Sequence, residues 1–114
     1  MPQASFYGRI ASDDVGVVRE LLRAWLDTSR LDEKLKLSGE QLVYESDDVY
    51  VYAHAADGAA QFLLEGHRKS GVDETRSWLQ ELFERCAASG VAATLEYVAV
   101  DDAGQEIGEQ YTLS

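Results

Sequence analysis

Apolar and polar positions along the chain switch between a period of two and the 3.6-residue period of an α-helix. Residues 6–10 alternate and predict a short first strand ending near Ala11. Ser12 can then cap a helix over residues 13–27, whose first turn holds Asp13 and Asp14, at the positive end of the helix dipole. Apolar residues recur at helical spacing in this segment: Val15, Val18, Leu21, Leu22 and Trp25.

The middle of the chain alternates with a period of two from Leu37 onward. Turn-like breaks at residues 38–39, 46–48 and 56–58 separate predicted strands over residues 41–45, 49–55 and 60–66. Three short strands joined by tight turns predict an antiparallel meander. Residues 28–36 fit a helical turn, a strand or a loop, and the pattern leaves these alternatives open.

A second amphipathic segment follows residues 66–71, which are glycine-rich and basic and predict a loop. Asp73 can cap a helix that ends at Gly90, where glycine allows a left-handed stop. Its apolar stripe contains Thr75, Trp78, Leu79, Leu82, Phe83 and Cys86. Residues 92–100 and 106–113 then predict a closing hairpin.

These elements predict an α+β fold with the order β-α-β-β-β-α-β-β. Two amphipathic helices and a largely antiparallel sheet form a two-layer sandwich when both helices cover one face of the sheet. A ferredoxin-like topology with extra strands is the nearest simple arrangement. A length of 114 residues, 46% of them hydrophobic, fits one domain over residues 1–114.

The N-terminal residues lack the cationic and apolar segments of a secretion signal, and no later run has the length of a membrane span. Cys86 is the single cysteine, so an internal disulfide is excluded. We therefore expect a cytoplasmic protein in a reducing environment, with no membrane contact.

The formal charge of −11 and the acidic composition disfavour nucleic acids and anionic membranes as partners, because Coulomb repulsion opposes both encounters. The charge is also unevenly distributed. Every Lys and Arg lies within residues 9–36 or 68–85, whereas residues 37–67 and 86–114 together hold eleven carboxylates and no cation. A basic protein is the partner that this distribution favours, although negative charge also serves solubility alone.

The strand over residues 49–55 directs Tyr50, Tyr52 and His54 to one side, because strand side chains alternate. If the helices cover the other face, these three residues lie on the open face of the sheet. Glu45, Glu65 and Glu96 are the best additional candidates for partner contacts, with carboxylates that can meet Lys or Arg. The alternative is purely structural, since tyrosine is a common strand residue.

Catalytic chemistry has little support in the sequence. Cys86 lies on an apolar helix stripe, and His54 and His67 have no local signature of a nucleophile and its base. Two histidines and one cysteine at unrelated spacings do not predict a zinc site, and we expect neither a metal nor another cofactor. The loop over residues 66–71 lacks the order of a phosphate-binding motif.

The leading hypothesis is an acidic protein-binding module, of the inhibitor or immunity type, that masks a cationic partner through its sheet face and loops. A small regulatory or homo-oligomerisation domain is the alternative, in which the open face pairs with another copy in a homodimer. An enzyme of unknown class is the third hypothesis, and no convergent set of catalytic residues favours it.

Overall fold

The described residues form a seven-stranded antiparallel sheet with two helices. The structure is a computed structural model that describes residues 2–28, 31–36, 39–55 and 60–114. For residues 32–36 and 39–40 it describes the backbone alone. The elements are β1 (Gln3–Ile10), α1 (Val15–Leu26), β2 (Asp32–Lys36), β3 (Gly39–Glu45), β4 (Val49–Ala55), β5 (Phe62–Arg68), α2 (Val72–Ala88), β6 (Ala93–Val100) and β7 (Glu106–Leu113). The predicted α+β class is confirmed, and all predicted elements occur in the predicted order, with one additional strand between the helices. The undecided stretch over residues 28–36 contributes β2, which is a strand.

The strand order across the sheet is β2-β3-β4-β5-β1-β6-β7, and every neighbouring pair is antiparallel. The first strand therefore lies between β5 and β6, and each helix connects two strands that are not neighbours. The four strands β4-β5-β1-β6 with α1 and α2 form the predicted ferredoxin-like arrangement. The additional strands β2 and β3 extend one side, and β7 extends the other.

One core lies between the helices and one face of the sheet. Fully buried strand residues such as Phe6, Phe62 and Leu64 belong to the same cluster as Leu22 on α1 and Leu82 on α2. At roughly 25 cal/mol per Å² of apolar surface removed from water, such side chains each contribute about 2 kcal/mol on burial. Because both helices cover this face, the opposite face is left for other contacts.

The two helices meet through a pair of tryptophans. The rings of Trp25 on α1 and Trp78 on α2 stack with their centroids 4.1 Å apart, and the Trp25 Nε1–H donates to the Trp78 carbonyl oxygen at 2.7 Å. Phe6 of β1 makes edge-to-face contacts with both rings, at centroid distances of 6.4 and 5.3 Å. These contacts fix both helices over the centre of the sheet.

The N-caps of both helices differ from the sequence-based predictions by two residues. Asp14, not Ser12, caps α1, because its carboxylate accepts hydrogen bonds from the Gly16 and Val17 amides. Gly71 occupies the N-cap of α2. Asp73, which was predicted as the cap, lies inside the first turn, where its charge still complements the dipole.

The predicted limits of some strands and loops also differ from those in the structure. The third strand of the predicted meander, β5, continues to Arg68, so Gly66 and His67, which were predicted in the loop over residues 66–71, are strand residues. A Cβ atom at Gly66 would overlap the Tyr50 carbonyl oxygen and the Phe6 ring, which explains a glycine in a strand. The predicted turn over residues 56–58 lies outside the described residues, as does Ser38 of the predicted break at 38–39, whereas Gly39 begins β3.

The second helix ends as predicted. Its last residue is Ala88, and Gly90 has a φ of 73°. The Gly90 amide donates to the Ala87 carbonyl oxygen and the Val91 amide to the Cys86 carbonyl oxygen, so the exposed end of the helix is hydrogen-bonded. Neither this helix nor any other in the described part of the chain is long and apolar enough to cross a membrane.

Candidate functional site

The sheet face that the helices leave uncovered, here called the open face, is organised in rows of residues paired across the strands. The central row runs from Val43 on β3 through Tyr52, Glu65 and Tyr7 to Glu96 on β6. Tyrosine and glutamate therefore alternate along it. Because neighbouring strands lie about 4.8 Å apart, the backbones of Glu65 and Glu96 are separated by roughly 10 Å with Tyr7 between them.

Two further rows flank the central one. On one side, the row is Gln41, His54, Leu63, Arg9 and Thr94. On the other side, it is Glu45, Tyr50, His67, Ser5, Val98 and Gln110. The open face thus combines aromatic rings, imidazoles and carboxylates on five adjacent strands, together with one guanidinium.

The open face is concave because the β6–β7 hairpin bends over it. Gly104 and Glu106, at the hairpin end, line a depression of about 340 Å³ together with Tyr50 and His67, which lie on β4 and β5. Val98 is also buried, at 1% exposure, although its strand position directs it away from the helices. The hairpin therefore forms one wall of the site, and the sheet forms its floor.

A larger groove continues from this depression along the central row. Its volume is about 480 Å³, and its lining includes Tyr7, Arg9, His54, Glu65 and Glu96. A groove of this size falls in the range of ligand clefts and accommodates a few side chains of a protein partner. The two depressions share Tyr7 and Glu65, so these two residues lie at the centre of the concave surface.

Glu96 and Tyr7 are held in place by a side chain from the edge strand. The Gln110 amide nitrogen donates to the Glu96 Oε2 at 2.7 Å and lies 3.1 Å from the Tyr7 hydroxyl oxygen, to which it also donates. One amide group thus positions both a carboxylate and a phenol at the groove. This arrangement directs the Glu96 carboxylate without neutralising its charge.

Two tyrosines of the open face have raised pKa values, to which neighbouring carboxylates contribute after burial. Partial burial, followed by the charges of Glu106 and Glu96, raises the pKa of Tyr7 above its ordinary value. The pKa of Tyr52 is raised by burial first and then by the charge of Glu65 and by Tyr50. Both phenols therefore remain protonated at neutral pH and can donate hydrogen bonds.

Within the part of the chain that the structure describes, Glu45, Glu65, Glu96 and Glu106 form no ion pair. Arg9 is the single Lys or Arg on this face among the strands whose side chains are described. The basic residues lie elsewhere; Arg68, for example, is stacked over Trp78 on the helix side with its guanidinium carbon 4.8 Å from the ring centroid.

The six residues proposed from the sequence share this face. Tyr52 pairs with Glu65, Tyr50 pairs with Glu45, and His54 lies beside Tyr52 with ring centroids 5.1 Å apart. Glu96 lies two strands from Glu65, across Tyr7. Their role in binding a partner stays a prediction, while their common location is a structural fact.

Four members of the site were absent from the sequence-based set: Tyr7, His67, Glu106 and Gln110. The alternation of residues 6–10 placed Tyr7 opposite the core side of β1, which was a usable signal. The register that places Tyr7 between Glu65 and Glu96 was not visible in the sequence. His67 was assigned to a loop because of the neighbouring glycine, and it lies instead on β5 with its ring 5.4 Å from that of Tyr50.

Other reactive side chains lie apart from the groove. Cys86 is fully buried in the core, and burial raises the pKa of its thiol, which favours a structural role over nucleophilic chemistry. No group of three or more His, Cys, Asp or Glu residues in the described ranges has the geometry to hold a metal ion.

Comparison with protein-family models and with curated proteins gives no match to this chain.

Proposed function

We propose that this protein binds a basic protein through the concave open face and thereby masks a cationic surface of that partner. The observation that carries the proposal is the central row, in which Tyr7 lies between the carboxylates of Glu65 and Glu96 at the floor of a groove. Aromatic rings supply contact area and cation–π attraction, and unpaired carboxylates supply partners for Lys and Arg.

The electrostatics of the whole chain support the same proposal. The net charge of −11 attracts a basic partner over a distance set by the ionic strength, and the carboxylates on the open face then give the encounter a preferred orientation. The charges are unevenly distributed, because α1 and α2 carry four arginines beside five carboxylates, while β3 to β7 carry six carboxylates and one arginine, Arg68, which lies on the helix side.

An inhibitor or immunity-type protein is the biological role that fits this chemistry. Proteins that act on nucleic acids present cationic surfaces to phosphate backbones. A concave acidic and aromatic face can cover such a surface and compete with the nucleic acid for the same Lys and Arg side chains. The protein would act in the cytoplasm, where a protein that acts on nucleic acids meets its substrate.

The direct test is capture of partners from the native cell's lysate on the immobilised chain at low salt, followed by elution in a salt gradient and mass spectrometry. We expect one basic protein, retained in stoichiometric amount and released by moderate salt, since electrostatic association weakens as salt screens the charges. Retention of acidic proteins only, or of further copies of the chain only, would contradict the proposed function.

A further inference from the structure

The outer edge of the sheet at β7 is unusually open. Seven of its eight residues are exposed, and its backbone pairs with β6 on one side only. Among the described residues, three large apolar side chains are exposed, and two of them, Ile107 and Tyr111, lie on this strand at 52% and 40% exposure. An edge strand of this kind presents unpaired backbone groups and apolar surface together.

The two edges of the sheet differ in their protection against further pairing. Natural edge strands are commonly blunted by charged residues, above all lysine, and by proline. Four of the five residues of β2 are charged, including Lys34 and Lys36, whereas β7 contains neither lysine nor proline. The edge at β2 is therefore more strongly protected than the edge at β7, whose charged residues are Glu106 and Glu109.

The pairing of β7 with β6 is irregular in the first part of β7 and regular in the second part. The register with β6 shifts between Val98 and Val100, and Gly108 in the same region has a φ of 106°. From Gln110 to Leu113 the pairing with β6 is regular, which leaves a straight edge. The first part of β7 bends toward the groove, where Glu106 lines the depression beside Tyr50.

The negative charge around β7 favours a basic segment over a second copy of the chain as the partner that binds this edge. The chain from residue 86 to its end has no Lys or Arg, and Glu106 and Glu109 lie on β7 itself. A second copy of the chain would bring the same negative charges to the contact, whereas a segment that carries Lys or Arg would meet complementary ones.

We infer that an extended, lysine- or arginine-bearing segment of the partner adds to β7 as an eighth strand and continues from there into the groove. Backbone hydrogen bonds to the free edge supply affinity, Ile107 and Tyr111 supply apolar contacts, and the acids of the open face select basic side chains. This inference rests on the proposed function, because the partner's basic character is taken from it.

The test uses two defined probes: a peptide of about eight alternating lysines and valines, and the same peptide N-methylated at every residue. Both have the same side chains and charge, but the second cannot donate backbone hydrogen bonds. We expect the first to slow amide hydrogen exchange in β7 and to bind at least about tenfold more tightly than the second. Equal affinities, or unchanged exchange in β7, would overturn strand addition and leave the proposed function standing.

Two variants and a control locate the contact. Tyr111→Lys and Ile107→Lys each place a lysine on the edge, and each should weaken binding of the unmethylated peptide by about tenfold. Val17→Lys makes the same kind of change at a 37%-exposed position on α1 and should leave binding unchanged. A urea unfolding curve for each variant separates loss of binding from loss of folding.

Two further outcomes would also overturn the inference. If neither peptide binds at low salt, strand addition is wrong, and the proposed function is then decided by the capture experiment alone. If the chain by itself gains mass with concentration, and Tyr111→Lys abolishes this gain while Val17→Lys does not, the occupant of the edge is a second copy and the inference is overturned.

Discussion

Tyr7 is the residue at which the features of the open face converge. It lies on β1, pairs with Glu65 on one side and Glu96 on the other, and accepts a hydrogen bond from Gln110. Its ring faces both depressions of the groove. A phenol in this position offers a cation an aromatic face between two carboxylates, which is a favourable arrangement for Lys or Arg.

The ionisation of Tyr7 should couple folding to alkaline pH. Burial and the charges of Glu106 and Glu96 raise its pKa in the folded protein above the ordinary value of 10.0. A raised pKa means that folding favours the protonated phenol, so this stabilisation is complete below pH 10 and declines as the pH rises through the folded-state value. Urea unfolding curves at increasing alkaline pH should therefore show falling stability.

Two variants separate the causes of this effect. Tyr7→Phe removes the ionisation, and its stability should fall less steeply above about pH 10. Glu106→Gln should lower the pKa of Tyr7 toward its ordinary value, which phenolate absorbance measures directly. If the absorbance titration of Glu106→Gln matches that of the unaltered protein, the charge of Glu106 does not act on Tyr7.

Individual residues also show where reasoning from the sequence succeeds and fails. The alternation over residues 49–55 correctly placed Tyr50, Tyr52 and His54 on one side, because the period of a strand is local information. Gly66 was taken as a loop signal, yet it lies within β5 to make room for the Phe6 ring and the Tyr50 carbonyl. The space around a residue depends on contacts distant in sequence, which a local pattern does not contain.

At the scale of elements, α2 packs both on the sheet and on α1. Thr75, Leu79, Leu82 and Cys86 are buried along one stripe, and Trp78 stacks on Trp25 of the other helix. The predicted stripe of this helix is therefore the face that packs on the sheet. The opposite face carries Glu81 and Glu84, which are exposed.

Shortening a buried side chain of α2 should destabilise the protein. Leu82 has 0% exposure, and Leu82→Ala is expected to lower the free energy of unfolding by about 2–5 kcal/mol, through lost burial and the cavity left behind. The neighbouring exposed position provides a control, since Glu81→Ala should change stability by no more than about 0.5 kcal/mol. Similar urea midpoints for the two variants would contradict this packing.

The elements were more predictable than their arrangement. Periodicity located both helices and six strands, whereas β2 remained undecided because its residues suit more than one local structure. The concavity of the open face depends on the bent β6–β7 hairpin, whose irregular register and Gly108 conformation were not visible as a pattern. The groove therefore emerged only when the strands were assembled.

At the scale of the whole molecule, the uneven distribution of charge is the property on which the proposed function depends. The helices carry four arginines beside five carboxylates, whereas the open face, among the described residues, has four carboxylates without an ion pair and a single arginine. Under the proposed function, a basic partner is attracted by the net charge and oriented by its distribution. The location of the acids should matter more for binding than their number.

The most direct measurement compares three immobilised chains in parallel: the unaltered protein, the double variant Glu65→Gln with Glu96→Gln, and the double variant Glu81→Gln with Glu84→Gln. Each double variant removes two negative charges, the first pair from the open face and the second from the exposed side of α2. The readout is the salt concentration at which the captured basic protein elutes. We expect it to elute at clearly lower salt from the open-face variant and at nearly unchanged salt from the α2 variant. Equal elution from all three columns would contradict the claim that the open face binds the partner.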